Sequence, residues 1–254
     1  MPEDFRGPDL KLQRANHHIA DLHGLLKRFM DAKPYKVVAD YELEPGSVCW
    51  VARGKDLFAH DEFSPIISDA LHNMRDALEL AVSVLVRNAG ASDKRVAFPV
   101  RDLENDFEIA LEDAAKDPNY PQDLIDVLRT RIQPYVGGNG VLLTVLHRLA
   151  IMDKHRLLVP TVFGTGTMMT AHAGCHMILQ LGPPTETIKD GSVLHRLDAS
   201  AFPHFQVGQE ALIALAVAFD ERCGRFSGTQ VEDGLRRLYL ATKDAIEDLR
   251  TCLP

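Results

Sequence analysis

The stretch Phe63 to Asn88, FSPIISDALHNMRDALELAVSVLVRN, constrains the fold of this chain more than any other. Its apolar residues fall at Phe63, Ile66, Ile67, Ala70, Leu71, Met74, Ala77, Leu78, Ala81, Val82 and Leu85. Spacing of three and four, kept up for about six turns, predicts one long amphipathic helix. Turning about 100° per residue, the same helix gathers Ser68, His72, Arg75, Asp76, Glu79 and Ser83 on its other side. Asn73 stands at the edge of the apolar face, where a buried amide needs hydrogen-bond partners. A face carrying histidine, arginine and acids either lines a pocket or is simply solvated, and periodicity does not choose between the two.

The remaining segments supply partners for that helix. Leu12, Ala15, Ile19, Leu22, Leu26 and Phe29 make a narrow stripe, predicting a helix from about 10 to 30 that packs against another long helix. His18 flanks the stripe. Lys33-Pro34 ends this helix, because the residue before proline avoids helical backbone angles. Tyr35–Leu43 and Ser47–Arg53 are rich in β-branched and aromatic residues and flank Glu44-Pro45-Gly46, so they read as a β-hairpin. Trp50, the single tryptophan, is expected to pack on its second strand. Ala97-Phe98-Pro99-Val100 reads as extended, followed by helices from about 103 to 115 and 121 to 131.

Val141–Asp153, VLLTVLHRLAIMD, is apolar almost all round apart from His147 and Arg148, the pattern of a central helix. It runs into Asp153-Lys154-His155-Arg156. Basic residues in a last turn offset the partial negative charge of the terminal carbonyls. An acid, an amine, an imidazole and a guanidinium where a buried helix emerges also suit the rim of a site. The glycine cluster Gly137-Gly138-Asn139-Gly140 precedes this helix, but lacks both the preceding strand and the GK[ST] of a phosphate loop.

Beyond residue 156 the pattern becomes that of strands. Leu157–Phe163, Met168–Leu181, Ser192–Leu197 and Glu210–Asp220, separated by glycine- and proline-rich turns, predict an antiparallel meander. His172 and His176 share parity, and on one strand they would share a face, with His195 or His204 as a further ligand of a weak candidate metal site. Val231–Leu249 closes the chain as an amphipathic helix. The expectation is an α+β protein folded as one unit over 1–254. Residues 1–156 are mainly helical with the early hairpin, 157–228 mainly β, and 229–254 a C-terminal helix. The bundle would hold helices 10–30, 63–88, 141–153 and 229–251.

Composition narrows the function classes. A net charge of −8 argues against broad electrostatic capture of nucleic acid, so RNA is a disfavoured partner. The polar start, MPEDFRGPDLKLQ, has no leader pattern, and no apolar run approaches a membrane span. Cys49, Cys175, Cys223 and Cys252 are scattered without CxxC spacing, which suggests reduced thiols and a cytoplasmic protein. The sequence identifies no particular cofactor and leaves that question open.

Four separated motifs carry a resemblance. DALHNMRDALEL from Asp69, Phe98-Pro99, Gln133-Pro134-Tyr135 and DKHR from Asp153 follow one another in the order found in a family of uncharacterised bacterial proteins. In those proteins the helix reads roughly DALHNLRxALDHL. The resemblance covers about residues 10 to 160. The family's arginine and the histidine five residues later are similar to the R-x4-H motif of HEPN helical domains. Such domains act as ribonucleases or as RNA- or nucleotide-binding modules, often as dimers. The resemblance implies a histidine that moves a proton at a ribose hydroxyl and an arginine that stabilises the phosphoryl charge. Here Arg75 is followed at the fifth position by Leu80, which can do neither.

Three readings stand. The first is a HEPN-like binding or regulatory module with a degenerate motif. A second is an enzyme acting on a small molecule, with His72, Arg75, Asp153 and His155 as candidate catalytic groups. Asn73, Asp76, Lys154, Arg156 and His18 are then candidate ligand contacts. The third is a structural or oligomerising protein. A protein partner or a homodimer is compatible with all three.

Overall fold

The computed structural model describes residues 4–32, 35–41, 43, 46–54, 60–92, 94, 96–155, 160–164, 167–172, 175–180, 190–198, 210–212 and 215–253. The protein is α+β: long helices with antiparallel sheet, as its periodicities predict. Its residues group into two compact units, each drawn from separated parts of the chain. One unit takes residues 1–22, 64–158 and 232–254, and the other takes 23–63 and 159–231.

The first unit is helical. Helix α2 (His60–Asn88) begins one turn before the sequence pattern, so Pro65 lies inside it, near its start. Proline there forgoes one intrahelical bond, a cost that the packed helix beyond it offsets. Ile67, Ala70, Leu71, Met74, Ala77, Leu78, Ala81 and Val82 are fully buried, the predicted apolar face. Helix α1 (Arg6–Asp31) buries Leu12, Ala15, His18, Ile19 and Leu22 along one side. Lys11 reaches Asp76 of α2 at 2.7 Å. Helix α6 (Val231–Arg250) buries Leu235, Leu238, Ile246 and Leu249, and Arg250 bonds Asp9 at 2.6 Å while lying 5.1 Å from the Phe5 ring centre.

Between these come α3 (Glu104–Ala114), α4 (Gln122–Val127) and α5 (Val141–His155). The predicted helix over 121–131 is α4 followed by a π-helical turn, Leu128–Ile132, which ends at Gln133 in the left-handed region (φ 50°). The glycine cluster after it is structural. A Cβ on Gly138 would stand 2.4 Å from the Gln133 carbonyl oxygen, and one on Gly140 2.6 Å from that of Ile132. Gly140 donates its N–H to the Gln133 carbonyl and Asn139 donates to the Gln133 side chain, closing the turn that launches α5. Tyr135 packs on Phe107, with ring centres 5.4 Å apart, and bonds Glu104. The QPY segment is thereby tied to α3.

The second unit holds the sheet. The predicted hairpin forms as β1 (Tyr35–Asp40) and β2 (Ser47–Gly54), with Tyr35 opposite Gly54 and Asp40 opposite Cys49. Cys49, Trp50, Val51 and Ala52 are buried. Strands β4 (Thr167–His172), β5 (Cys175–Gln180), β6 (Val193–Asp198) and β7 (Glu210–Leu212) join the hairpin in the order β5-β4-β7-β1-β2-β6. Strand β3 (Pro160–Gly164) pairs instead with β8 (Leu215–Phe219) in a separate ladder. The expected meander is therefore corrected: β1–β2 and β4–β5 are chain neighbours that pair, but β7 inserts between β4 and β1, and β6 pairs with β2. Two predicted strands each prove to be two. Met168–Leu181 divides into β4 and β5, which pair with each other, and Glu210–Asp220 divides into β7 and β8 in different ladders. A glycine inside an apolar run, Gly174 here, is a signal for such a break.

That division also revises the weak metal site. His172 pairs with Cys175 and His176 with Ala171, so the two histidines occupy adjacent register positions on paired strands. The two histidines therefore lie on two paired strands and not on the one strand expected. No cluster of histidine, cysteine and carboxylate able to hold a metal occurs among the described residues. Among those residues, too, no helix is long and apolar enough to cross a membrane.

Candidate functional site

The polar side of α2 is turned into the helical unit, against α5 and the extended segment before α3. Two constellations form along it. The first joins Ser68 and His72, one turn apart on α2, to Asp153 near the end of α5. Asp153 Oδ2 accepts from the Ser68 hydroxyl and lies 3.0 Å from His72 Nε2. The Asp153 side chain is 5% exposed and that of His72 31%. A carboxylate removed from water needs partners for its oxygens. The serine and the imidazole supply two of them, both to Oδ2. The ring is thus held by a buried acid at one nitrogen and stays partly open to solvent, the orientation that a proton-accepting histidine requires.

The second constellation is a clamp on the Phe98-Pro99 segment. Glu79 Oε2 accepts the Phe98 backbone N–H at 2.6 Å, and Arg75 Nη2 donates to the Phe98 carbonyl at 3.0 Å. Arg75 and Glu79 also pair with each other across one helical turn. The guanidinium carbon stands 5.8 Å from the Phe98 ring centre. An extended segment has no helical or sheet partners for its backbone groups, and buried groups of that kind must be satisfied. Two side chains of α2 meet that need. Burial pulls the Arg75 pKa down from its usual value, with Glu79 opposing the shift.

His147 of α5 lies in the same region. Burial first, then the charges of Arg75, Arg101 and Lys154, lower its pKa to about 4, with Asp102 working the other way. It is therefore a neutral imidazole at pH 7. Its neighbour Arg148 bonds Asp102 at 2.8 Å, tying α5 to the residue that follows Arg101.

The remaining candidates lie elsewhere. Asp76 is taken by Lys11 of α1. Asn73 donates to the Asp69 carbonyl one turn back on its own helix at 2.7 Å. His18 is buried in α1, and that burial, with Arg14 nearby, lowers its pKa. Lys154 is exposed at the end of α5. His155 ends α5, but its side chain, like Arg156 and the side chains of His172 and His176, lies outside the described residues.

Of the residues singled out from sequence, the fold thus brings His72 and Asp153 together and sends Arg75 to a backbone segment. Ser68, Glu79, Arg101 and His147 join these groups without having been singled out as site residues. Ser68 and Glu79 were legible as members of the α2 polar stripe, and His147 as a break in an otherwise apolar helix. Arg101 carried no signal. Comparison with protein-family models, with curated proteins and with solved structures finds no match to this chain.

Proposed function

We propose that this chain is a HEPN-like binding or regulatory module that has lost R-x4-H ribonuclease chemistry and binds its ligand or partner on the α2–α5 face. The observation that carries the reading is the engagement of Arg75. Its side chain is 14% exposed, paired with Glu79 and bonded through Nη2 to the Phe98 carbonyl, while Nη1 is buried without a partner among the described residues. An arginine that stabilises a phosphoryl group must present its donors at an accessible surface, and burial withholds them here. Leu80 in place of the histidine removes the proton carrier as well. What remains exposed for binding is the His72 ring on its Asp153 anchor. A cytoplasmic protein, acting as a homodimer or with another protein, suits this reading.

The test has two arms. Unstructured RNA incubated with the protein at neutral pH is expected to stay intact. Cleavage that disappears in a folded Arg75→Lys variant would overturn the reading. A His72→Ala protein is expected to keep its fold while losing its bound ligand or partner.

A second reading is favoured by one specific feature, the Asp153–His72 pair at 3.0 Å. A buried acid orienting a half-open imidazole is the arrangement of a general base. On that reading the protein is an enzyme acting on a small molecule. Turnover of a substrate abolished by both His72→Gln and Asp153→Asn would decide for it.

A further inference from the structure

We infer that the groove between the start of α5 and helix α6 is a self-association surface, filled by the same groove of a second copy of this chain. It lies at the far end of α5 from Asp153 and does not depend on what the α2–α5 face binds.

Two walls make the groove, which encloses about 420 Å³. Ile132, Leu142 and Leu143 stand on one side, where the turn closed on Gly140 launches α5. On the other side Arg237, Leu240, Ala241, Asp244 and Asp248 follow α6 at spacings of three and four. From Arg237 to Asp248 the helix rises about 16 Å, at 1.5 Å per residue. Ile132 and Leu143 are buried, whereas Leu240 is 51% exposed. A single exposed leucine is ordinary on a protein surface. Here it borders a cavity with apolar walls and stands next to an alanine, which leaves room for a side chain from outside.

The charges decide the occupant. Arg237 and Asp244 are both exposed and lie seven residues, two helical turns, apart on the same wall. Asp244 has no ion-pair partner among the described residues, and Asp248 is held by Arg131. A small ion of either sign would gain one of the two exposed charges and be repelled by the other. A second α6 running antiparallel carries the same two charges in reverse order. With a two-fold axis passing between Leu240 and Ala241, Arg237 faces Asp244 of the second copy and Asp244 faces its Arg237. Each Leu240 then lies over the Ala241 of the other copy, large against small, as interlocking helix surfaces require. Asp233 comes opposite Asp248, whose charge Arg131 already offsets. Moving the axis onto Leu240 would instead set Arg237 against Lys243. The surface is therefore complementary to itself in one register, the condition for a two-fold interface. Its short length places it at the small end of specific interfaces, so the dimer is expected to be weak.

Sedimentation equilibrium of the full chain over a concentration series tests this, and a monomer–dimer equilibrium is expected. Arg237→Asp alone, or Asp244→Arg alone, sets like charges opposite each other twice per dimer. Each should raise the dissociation constant at least about tenfold. Both changes in one chain restore both pairs and should restore the dimer. Mixing the two single variants should give a heterodimer, since one chain then offers two acids and the other two arginines. Leu240→Ser should also weaken association, and all these exposed positions should leave the melting temperature of dilute protein unchanged. Monomer at every concentration would overturn the inference. So would a dimer indifferent to either charge reversal, or single variants that neither the double change nor mixing rescues. None of these readouts involves RNA cleavage or the His72 ring, so the proposed function and this surface can fail separately.

Discussion

Replacing Glu79 with alanine should be among the most damaging single changes on the polar side of α2, although its carboxylate is 31% exposed. Two losses combine. The Phe98 N–H loses a charged acceptor at 2.6 Å, and Phe98 itself is 1% exposed, so water does not readily replace that acceptor. A bond of this kind contributes about 1.5–3 kcal/mol. Arg75, 14% exposed, also keeps its charge without its partner. Removing one member of a fully buried ion pair costs roughly 3–5 kcal/mol, and partial exposure of Glu79 places this pair below that range. The two losses share atoms and do not add in full, giving about 2–4 kcal/mol for Glu79→Ala. Arg75→Ala should cost about 2 kcal/mol, since Glu79 keeps the Phe98 N–H and some water. The double variant should then be less destabilised than the sum, with a coupling of about 1–2 kcal/mol. Urea unfolding of the four proteins measures all three quantities, provided that the slopes agree. If Glu79→Ala changes stability by less than about 0.5 kcal/mol, or the coupling is zero within error, the clamp does not hold the 97–100 segment and the engagement of Arg75 loses its meaning.

Other perturbations test separate parts of the structure. His147 titrates near 4 in the folded protein against 6.5 in the unfolded chain, so the unfolded state binds more protons between those values. Stability should therefore rise with pH from about 4 to 6.5. The cost of protonation is at most about 3 kcal/mol, and screening of the half-exposed ring reduces it to about 1–2 kcal/mol. His147→Gln should flatten that part of a stability-versus-pH curve, and an unchanged slope would refute the assignment. Gly140→Ala would bring a methyl group within 2.6 Å of the Ile132 carbonyl and 3.1 Å of the Pro134 Cα, both backbone. It should cost about 2–4 kcal/mol, whereas Gly137→Ala, with open space around it and strain only from its φ of 100°, should cost about 1 kcal/mol; equal melting temperatures would show that the turn yields. Asp153→Asn keeps an acceptor for Ser68 and loses the charge beside His72, so about 1–2 kcal/mol should be lost, and circular-dichroism melts that superimpose on the parent's would argue against a buried tie between α2 and α5.

Residue spacing alone specified the properties that repeat along a segment. The three-and-four spacing from Phe63 onward specified α2 and its buried face, and the turn residues Glu44-Pro45-Gly46 specified the β1–β2 hairpin. Both depend on neighbours a few residues away, whose relative directions follow from backbone geometry alone. Tertiary structure decided everything that joins distant segments. Arg75 and Glu79 meet Phe98 across 23 and 19 residues, and His72 meets Asp153 across 81. A polar stripe states that hydrogen-bonding groups are present, not which partners will reach them. The strand runs behaved likewise: Glu210–Asp220 carried β character throughout, yet β7 and β8 fall in different ladders. Strand character is local, whereas pairing depends on which edge another part of the chain presents. The site follows the same rule, because an imidazole such as His147 acquires its chemistry from burial and from charges that only the fold brings beside it.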